Sequence, residues 1–304
     1  MFLRELSAEK AKKQPKQVDC ITQNAPIFDT MDFFPSTHGL QHAYEKLSEV
    51  VGGRLVGVDE ALPEAKMETE LNWQDLGILG FKLKAGVDKV KVISNGSFPA
   101  YIARRLPSVI AKTSMDSEKS LIYDLLRPFA IKSNKVIDAY SSASGSTTYS
   151  IIAVRWEDEQ LCGLFDPNGF GQGAMFDTIY LSNGAPYEDA SGKDVYGASF
   201  KSYLGFLLAN PQNIGMIANI TEAHKPTATM IDDMLDDCRA NSTGKTFIFG
   251  HPKALRMISD LKESRLMMEP SNTHYSRRIG DWDGIDLVPS YNFNKGTDLA
   301  VDLS

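Results

Sequence analysis

The sequence predicts an α+β fold, in which helices and strands occupy separate stretches of the chain. Strands are predicted between Tyr149 and Ile220, where apolar runs and alternating segments follow one another. One long helix is predicted over residues 98–131, because apolar residues recur there at helical spacing. A helix–strand–helix–strand order over residues 225–290 predicts a small α/β subdomain with helices packed on a sheet.

The first 90 residues are predicted to contain two extended segments. Residues 1–38 are interpreted as an N-terminal arm, because they show no sustained periodicity and are interrupted by prolines. Such a segment cannot bury enough apolar surface on its own to offset its ordering entropy. Residues 39–90 are interpreted as an extended two-stranded loop that rests on a neighbouring surface. Residues 50–58 supply one Gly-rich piece of this loop, and residues 76–83 are the predicted returning strand.

The long helix has a clear predicted start and a predicted break. Ser97 is a good N-cap, and Pro99 lies in the first turn, where proline is tolerated. Pro107 is expected to kink or interrupt the helix. Thr113–Asp116 has the spacing of a capping box, which predicts a second helix start after the break.

The middle of the chain is predicted to be rich in strands and poor in reactive side chains. Tyr149–Trp156 and Leu161–Phe165 are apolar runs, and Tyr196–Leu208 alternates with period two. Asn183-Gly184 predicts a turn before the alternating strand. Apart from Cys162, this region carries no nucleophile beyond scattered hydroxyl groups, and it has no histidine. Such a segment is typical of a structural wall rather than of a catalytic site.

The C-terminal third is predicted to change character. The predicted elements are a helix from Met230 to Cys238, a strand from Thr246 to Phe249, a helix from Pro252 to Leu266 and a strand from Ile285 to Val288. The aspartates of the first helix are interpreted as a solvated face. Residues 291–304 are interpreted as a C-terminal tail.

Composition excludes several classes of protein. The chain has 304 residues, a net charge of -7 and no apolar run long enough to span a bilayer, so no membrane association is predicted. Its Lys-rich first twenty residues lack an apolar region, which argues against a secretory signal. Three widely spaced cysteines argue against a disulfide framework and for a reducing compartment. No extended basic patch that would grip nucleic-acid phosphates is evident.

Motifs for catalysis or for metal and cofactor binding are weak. Ser242–Thr246 suggests a phosphate-binding loop around Lys245, but Arg239 stands where that motif needs glycine, and the segment links a helix to a strand. A glycine-rich turn explains it better. His38 and His42 have the spacing of a metal pair on a helix, but Gly39 weakens any helix there. No catalytic, cofactor-binding or metal-binding residue is therefore predicted, and the chain is not expected to be an enzyme.

The order of these parts resembles that of a tailed-bacteriophage major capsid protein with the Hong Kong 97-like fold. A proline-punctuated arm, a Gly-rich two-stranded loop and a long helix precede a run of strands and a helix–strand–helix unit. The resemblance covers residues 30–290, and its most specific pieces are Ile151–Phe165 and Phe200–Ile220. It implies a peripheral domain over residues 91–224, with the spine helix at 98–131, and an axial-domain-like subdomain over residues 225–290.

The resemblance also implies a function. The chain would self-assemble into hexamers and pentamers of an icosahedral phage head that encloses double-stranded DNA, and the extended loop would lie on a neighbouring subunit. The expected inter-subunit contacts are Val50, Val51, Arg54, Leu55 and Lys66. The implied partners are a scaffolding protein, a portal protein, a decoration or cement protein and packaged DNA. The implied location is the virion capsid, after synthesis in the host cytoplasm.

Three other functions remain open on the sequence alone. An encapsulin-like nanocompartment shell shares the same fold. A nucleotide-dependent enzyme would use Lys245. Another structural β-protein, such as a tail-tube or adhesin subunit, would share the chemically inert strands.

Overall fold

The computed structural model describes residues 2–3, 5, 15–52, 54–56, 61–169, 176–240, 245–265 and 280–303. It confirms the predicted α+β organisation. The helices are α1 (Pro15–Asn24), α2 (Pro26–Thr30), α3 (Val87–Ser94), α4 (Phe98–Ser120), α5 (Arg127–Lys132), α6 (Ala228–Asp237) and α7 (Pro252–Arg265). A π-helical segment, Leu121–Leu126, joins α4 to α5. Within the described residues, no helix combines the length and apolarity that crossing a bilayer requires.

The strands form two sheets and a separate hairpin. They are β1 (Phe33–Pro35), β2 (Gln41–Val51), β3 (Lys66–Asp75), β4 (Gly77–Gly86), β5 (Val136–Asp138), β6 (Tyr149–Arg155), β7 (Leu161–Phe165), β8 (Asp177–Tyr180), β9 (Tyr187–Glu188), β10 (Asp194–Leu208), β11 (Ile214–Ile220), β12 (Thr246–Gly250), β13 (Asp281–Trp282) and β14 (Ile285–Pro289). β2 and β3 pair only with each other among the described residues.

The first sheet is built around the long strand β10. Its order is β1-β7-β10-β4, and the short strands β8 and β9 also pair with β10. β10 runs antiparallel to β4 along Val195–Leu204, and to β7 along Leu204–Leu208. The predicted turn before β10 is present, because Asn183 and Gly184 both adopt positive φ angles of 51° and 83°. The predicted alternating strand is therefore the backbone of this sheet.

The second sheet joins strands from the middle and the end of the chain. Its order is β13-β14-β12-β6-β11-β5. Ile152 and Val154 of β6 belong to the large core, which includes residues of α4 and α5. Ile151 and Ala153 point the other way, into a second core formed with α6 and α7. Burial on both faces explains why β6 and β11 appear in the sequence as continuous apolar runs.

The expectation that the N-terminal arm lacks a core is wrong for residues 15–35. These residues pack on the body of the same chain, where Ile21, Ile27 and Phe33 are almost completely inaccessible to solvent. β1 adds a parallel strand beside β7. Contrary to the prediction, Pro15 and Pro26 do not interrupt this segment. They are the first residues of α1 and α2. Proline fits that position because the first helical N–H has no intrahelical partner.

The predicted break in the long helix is also wrong. α4 begins after Ser97, whose side chain accepts a hydrogen bond from the Ala100 amide, and continues through Pro107 without interruption. Pro107 lies on the exposed face, so water can satisfy the carbonyl that loses its partner there. Thr113 is not a helix start, since its hydroxyl donates to the Val109 carbonyl, 2.9 Å away, within the helix.

The last residues are anchored to the body by a buried carboxylate. Asp298, which is 1% exposed, accepts hydrogen bonds from the Tyr123 hydroxyl at 2.5 Å and the Ser150 hydroxyl at 2.6 Å. Its backbone pairs with Thr148, and the Val301 amide donates to the Asn219 side chain at 2.8 Å. The segment predicted as a tail is thus tied to the π-helical segment and to strands β6 and β11 of the second sheet.

Candidate inter-subunit interface: the extended hairpin

The extended hairpin consists of β2, β3 and the segment that connects them. Its register runs from Gln41 opposite Asp75 to Val51 opposite Lys66, with an irregularity between Leu47 and Glu49. The returning strand is therefore β3, and the prediction of residues 76–83 as that strand is wrong. Those residues lie in β4, which pairs with β10 in the first sheet. Residues 76–83 therefore form a strand of the first sheet rather than a strand of the projecting hairpin.

The root of the hairpin is packed against the first sheet. The Leu76 amide donates to the Leu40 carbonyl at 2.9 Å, which closes the base of the two strands. Tyr44 and Leu76 pack on a small apolar cluster formed by Cys162, Leu164 and Leu207. The root thus fixes the hairpin to strands β7 and β10.

His42 is the buried polar residue of this root. It is 6% exposed, and both ring nitrogens are buried without a hydrogen-bond partner among the described residues. Burial lowers the pKa of its imidazole, although the nearby carboxylates of Glu159 and Asp158 act in the opposite direction. The root is therefore built around a neutral histidine.

One face of the hairpin exposes apolar side chains. Directly opposed residues of an antiparallel pair point to the same face, so Trp73 and Ala43 share it, as do Leu71 and Glu45. Trp73 is 52% exposed and Leu71 is 61% exposed, although the Trp73 ring also contacts the His38 ring edge-on at 5.1 Å. The described residues leave this face uncovered. We refer to Ala43, Leu71 and Trp73 as the apolar face.

The far end of the hairpin is also exposed. Leu55 is 103% exposed and Leu62 is 81% exposed, so neither side chain is covered by the rest of the described chain. Arg54 is exposed beside Leu55. Lys66 and Glu68 form an ion pair in which both side chains are more than half exposed, and such pairs contribute little to stability.

The residues predicted from sequence to contact a neighbour lie in this hairpin. Val50 and Val51 are at the end of β2, opposite Met67 and Lys66, and their side chains lie outside the described part of the structure. Arg54, Leu55 and Lys66 are exposed. Their role as contacts remains a prediction, because a single chain does not test it.

Sequence reasoning missed the apolar face. The relevant signal is the alternation in β3, where Thr69, Leu71 and Trp73 take every second position between polar residues. A tryptophan and a leucine on an exposed two-stranded ribbon are informative, since large apolar patches outside a core mark interaction sites.

The motifs weighed for other chemistry lie elsewhere. Residues 241–244 of the possible phosphate-binding loop are outside the described residues. Lys245 leads directly into strand β12 and forms an ion pair with Asp32 at 3.5 Å. A helix precedes this loop and a strand follows it, the reverse of the order in a phosphate-binding loop. No cluster of potential metal ligands occurs within the part of the chain that the structure describes.

Comparisons with known proteins bear on the fold. No family model and no curated protein matches this sequence. A bacteriophage epsilon15 capsid protein matches the structure with a TM-score of 0.59 and 16% identity, over 90% of this chain and 88% of that chain. The capsid of bacteriophage JBD30 gives a TM-score of 0.47 at 9% identity, over 87% of this chain and 89% of that one. The SrpI encapsulin of Synechococcus elongatus gives 0.42 at 11% identity, over 67% and 90%.

The epsilon15 match covers most of both chains, so it concerns the overall arrangement of helices and sheets rather than one motif. At 16% identity it bears on architecture alone. The chain has the Hong Kong 97-like fold of tailed-bacteriophage major capsid proteins.

Proposed function

We propose that this chain is the major capsid protein of a tailed bacteriophage and forms the shell of its head by self-assembly. The observation that carries the proposal is the extended hairpin, which projects from a capsid-type fold and exposes apolar side chains at its face and at its far end. A two-stranded ribbon is only marginally stable in isolation. A second copy of the chain would supply the surface that covers its exposed apolar side chains.

The arrangement of copies follows from how a projecting element makes contacts. A hairpin that lies on the body of the next copy makes a head-to-tail contact, and such contacts close into rings. We propose that the rings are the hexamers and pentamers of an icosahedral head around double-stranded DNA. The net charge of -7 suits a wall that does not adhere to DNA.

The remaining partners follow from this role. We propose that a scaffolding protein guides assembly, that a portal protein occupies one vertex and that a decoration or cement protein can bind the outside. The chain would be made in the host cytoplasm and end in the virion capsid. Its role would be structural, without catalysis.

Electron microscopy of the purified chain tests the proposal. Closed shells, or hexamers and pentamers in sedimentation, are the expected result, with or without a co-expressed scaffolding protein. A chain that stays monomeric under all these conditions would overturn the proposal. Helical tubes would instead indicate a tail-tube protein.

The contents of the particles separate the two shell functions. Particles from infected cells that contain double-stranded DNA support the phage head, whereas particles that hold a protein cargo and no DNA indicate a nanocompartment. A calorimetric titration with ATP and magnesium tests the enzyme alternative. Heat of binding that disappears in Lys245→Ala would favour it over a purely structural role.

A further inference from the structure

A buried carboxyl group lies where the long helix meets the N-terminal segment. Glu118 is in the last turn of α4, just before the π-helical segment, and its side chain is fully buried. Burial is the largest influence on it and raises the pKa of Glu118 to about 7. π-helical turns are often found at functional positions within helices.

Hydrogen bonds connect this carboxyl group to two other parts of the chain. The Ser290 hydroxyl donates to Glu118 Oε1 at 2.5 Å, and the Asn292 amide donates to the Ser290 hydroxyl at 3.1 Å. The Asn292 side chain then donates to the Asn24 carbonyl, 2.9 Å away, at the end of α1. Glu118, the segment after β14 and the N-terminal helix therefore form one connected chain of contacts.

The second oxygen of Glu118 has no good partner. Oε2 is buried and accepts no hydrogen bond of normal geometry from the described residues. An ionised carboxylate here would be a buried charge with one poorly satisfied oxygen, whereas a neutral carboxyl group avoids most of that cost. The site therefore favours the protonated form.

The groups that face Glu118 are mostly uncharged. The segment after β14 presents the Ser290 and Asn292 side chains, and α2 presents the Ile27 amide, each of which opposes the effect of burial on the pKa. The charged neighbours on its own helix, Asp116 and Lys119, are exposed, and the N-terminal segment carries Asp29 and Asp32. Neither of these aspartates is among the influences on the pKa of Glu118.

We infer that Glu118 is a proton-controlled latch for the N-terminal segment, residues 15–35, which it holds more firmly on the body of the chain when it is neutral. Ionisation places a charge between α4, the segment after β14 and the end of α1. The N-terminal segment is the element expected to move away, because it meets this network only through backbone groups, the Asn24 carbonyl and the Ile27 amide. Its release would uncover Phe28, which stacks on Phe206 at 5.7 Å.

The size of the effect follows from linkage. The pKa of Glu118 is about 7 in the docked state, whereas the ordinary pKa of an exposed glutamate is 4.5. Docking is therefore firmest at low pH and weakens as the pH rises. If Glu118 becomes fully exposed on release, the opening equilibrium increases by roughly 30-fold between pH 5.5 and pH 8.5.

Hydrogen exchange measured by mass spectrometry tests this inference on the full chain. Peptides from residues 15–35 are compared between the native protein and Glu118→Gln at each pH, which cancels the intrinsic effect of pH on exchange. The expected ratio of exchange rates rises by up to 30-fold from pH 5.5 to pH 8.5. Asp116→Asn, which removes an exposed carboxyl group from the same helix, should leave the exchange unchanged.

Two results would overturn the inference. One is a ratio for residues 15–35 that does not depend on pH, and the other is a pH effect of equal size in peptides of β11, which would indicate global loosening. If Glu118→Gln does not fold, the native protein alone is measured, and the exchange rate of residues 15–35 is divided by that of β11 at each pH. A ratio that does not depend on pH would then overturn the inference. The proposed function can fail without affecting this test, since it is made on a single chain.

Discussion

Replacing the two large side chains of the apolar face is expected to weaken assembly far more than folding. We consider the double variant Leu71→Thr/Trp73→Thr, in which β-branched threonines keep the strand propensity of β3. The hairpin projects from the body, and these side chains are 61% and 52% exposed in the single chain. About half of their potential burial is therefore still available to a neighbouring copy.

The magnitude follows from that remaining exposure. Complete burial of a large apolar side chain stabilises by about 1.5–3 kcal/mol, so covering the exposed halves of both contributes about 2–3 kcal/mol per copy. Loss of this free energy raises the concentration needed for assembly roughly 30- to 150-fold. The midpoint of thermal unfolding of the unassembled chain should change little, because the root of the hairpin is untouched.

The assay is light scattering against protein concentration, with particles counted by electron microscopy. Asn72→Ala/Gln74→Ala is the matched control, since these polar residues alternate with Leu71 and Trp73 along β3 and face the other way. Normal assembly of the threonine variant together with a marked loss of thermal stability would refute the reasoning. It would mean that the apolar face packs within its own chain.

Three further predictions concern stability and protonation. Gly215→Ala should lower the midpoint of thermal unfolding, because a Cβ there would lie 2.4 Å from the Met234 carbonyl oxygen, and overpacking costs about 1–3 kcal/mol. Asp298→Ala should destabilise the chain by about 1–3 kcal/mol in urea unfolding, since it leaves the buried Ser150 hydroxyl and the half-buried Tyr123 hydroxyl without their acceptor. His42 should titrate below its ordinary pKa of 6.5 in NMR, and its contribution to stability should be complete above pH 6.5 and lost as the pH falls.

Each of these predictions has a direct check. Gly86→Ala is the control for crowding, because a Cβ at Gly86 would meet nothing within 4 Å. Equal melting temperatures for the Gly86 and Gly215 variants would show that α6 moves aside at little cost. Asp298→Asn keeps an acceptor for Tyr123 and should recover part of the lost stability. An NMR titration of His42 at or above pH 6.5 would show that Asp158 and Glu159 outweigh its burial.

The elements that were predicted well are those whose pattern is set by local contacts or by burial on both faces. β6, β7 and β11 are buried almost throughout, which gives the apolar runs that identify them. The start of α4 could be predicted because Ser97 caps the helix by accepting a hydrogen bond from an amide only three residues away. Its continuation through Pro107 could not be predicted, because it depends on which face of the helix is exposed.

The N-terminal segment and the hairpin were harder to predict for opposite reasons. Ile21 and Ile27 are buried by α4 and its neighbours, which are distant in sequence, so the local pattern of residues 15–35 is too short to indicate a core. β3 lies in a two-stranded ribbon, and its polar residues hid the alternation of Leu71 and Trp73. Arg54, Leu55 and Lys66 were predicted as contacts through the resemblance, whereas the apolar face required the register of the hairpin.

The N-terminal segment and the hairpin differ in how far the single chain already covers their apolar side chains. An arm that needed neighbours to become ordered would have supported assembly, but residues 15–35 already bury Ile27 and Phe33 in their own chain. The hairpin is different, because Trp73, Leu71 and Leu55 gain nothing further from the body to which they are attached. The hairpin therefore gives the single chain a physical reason to self-associate that residues 15–35 do not. Variants of the N-terminal segment report on folding, whereas variants of the hairpin test the proposed shell.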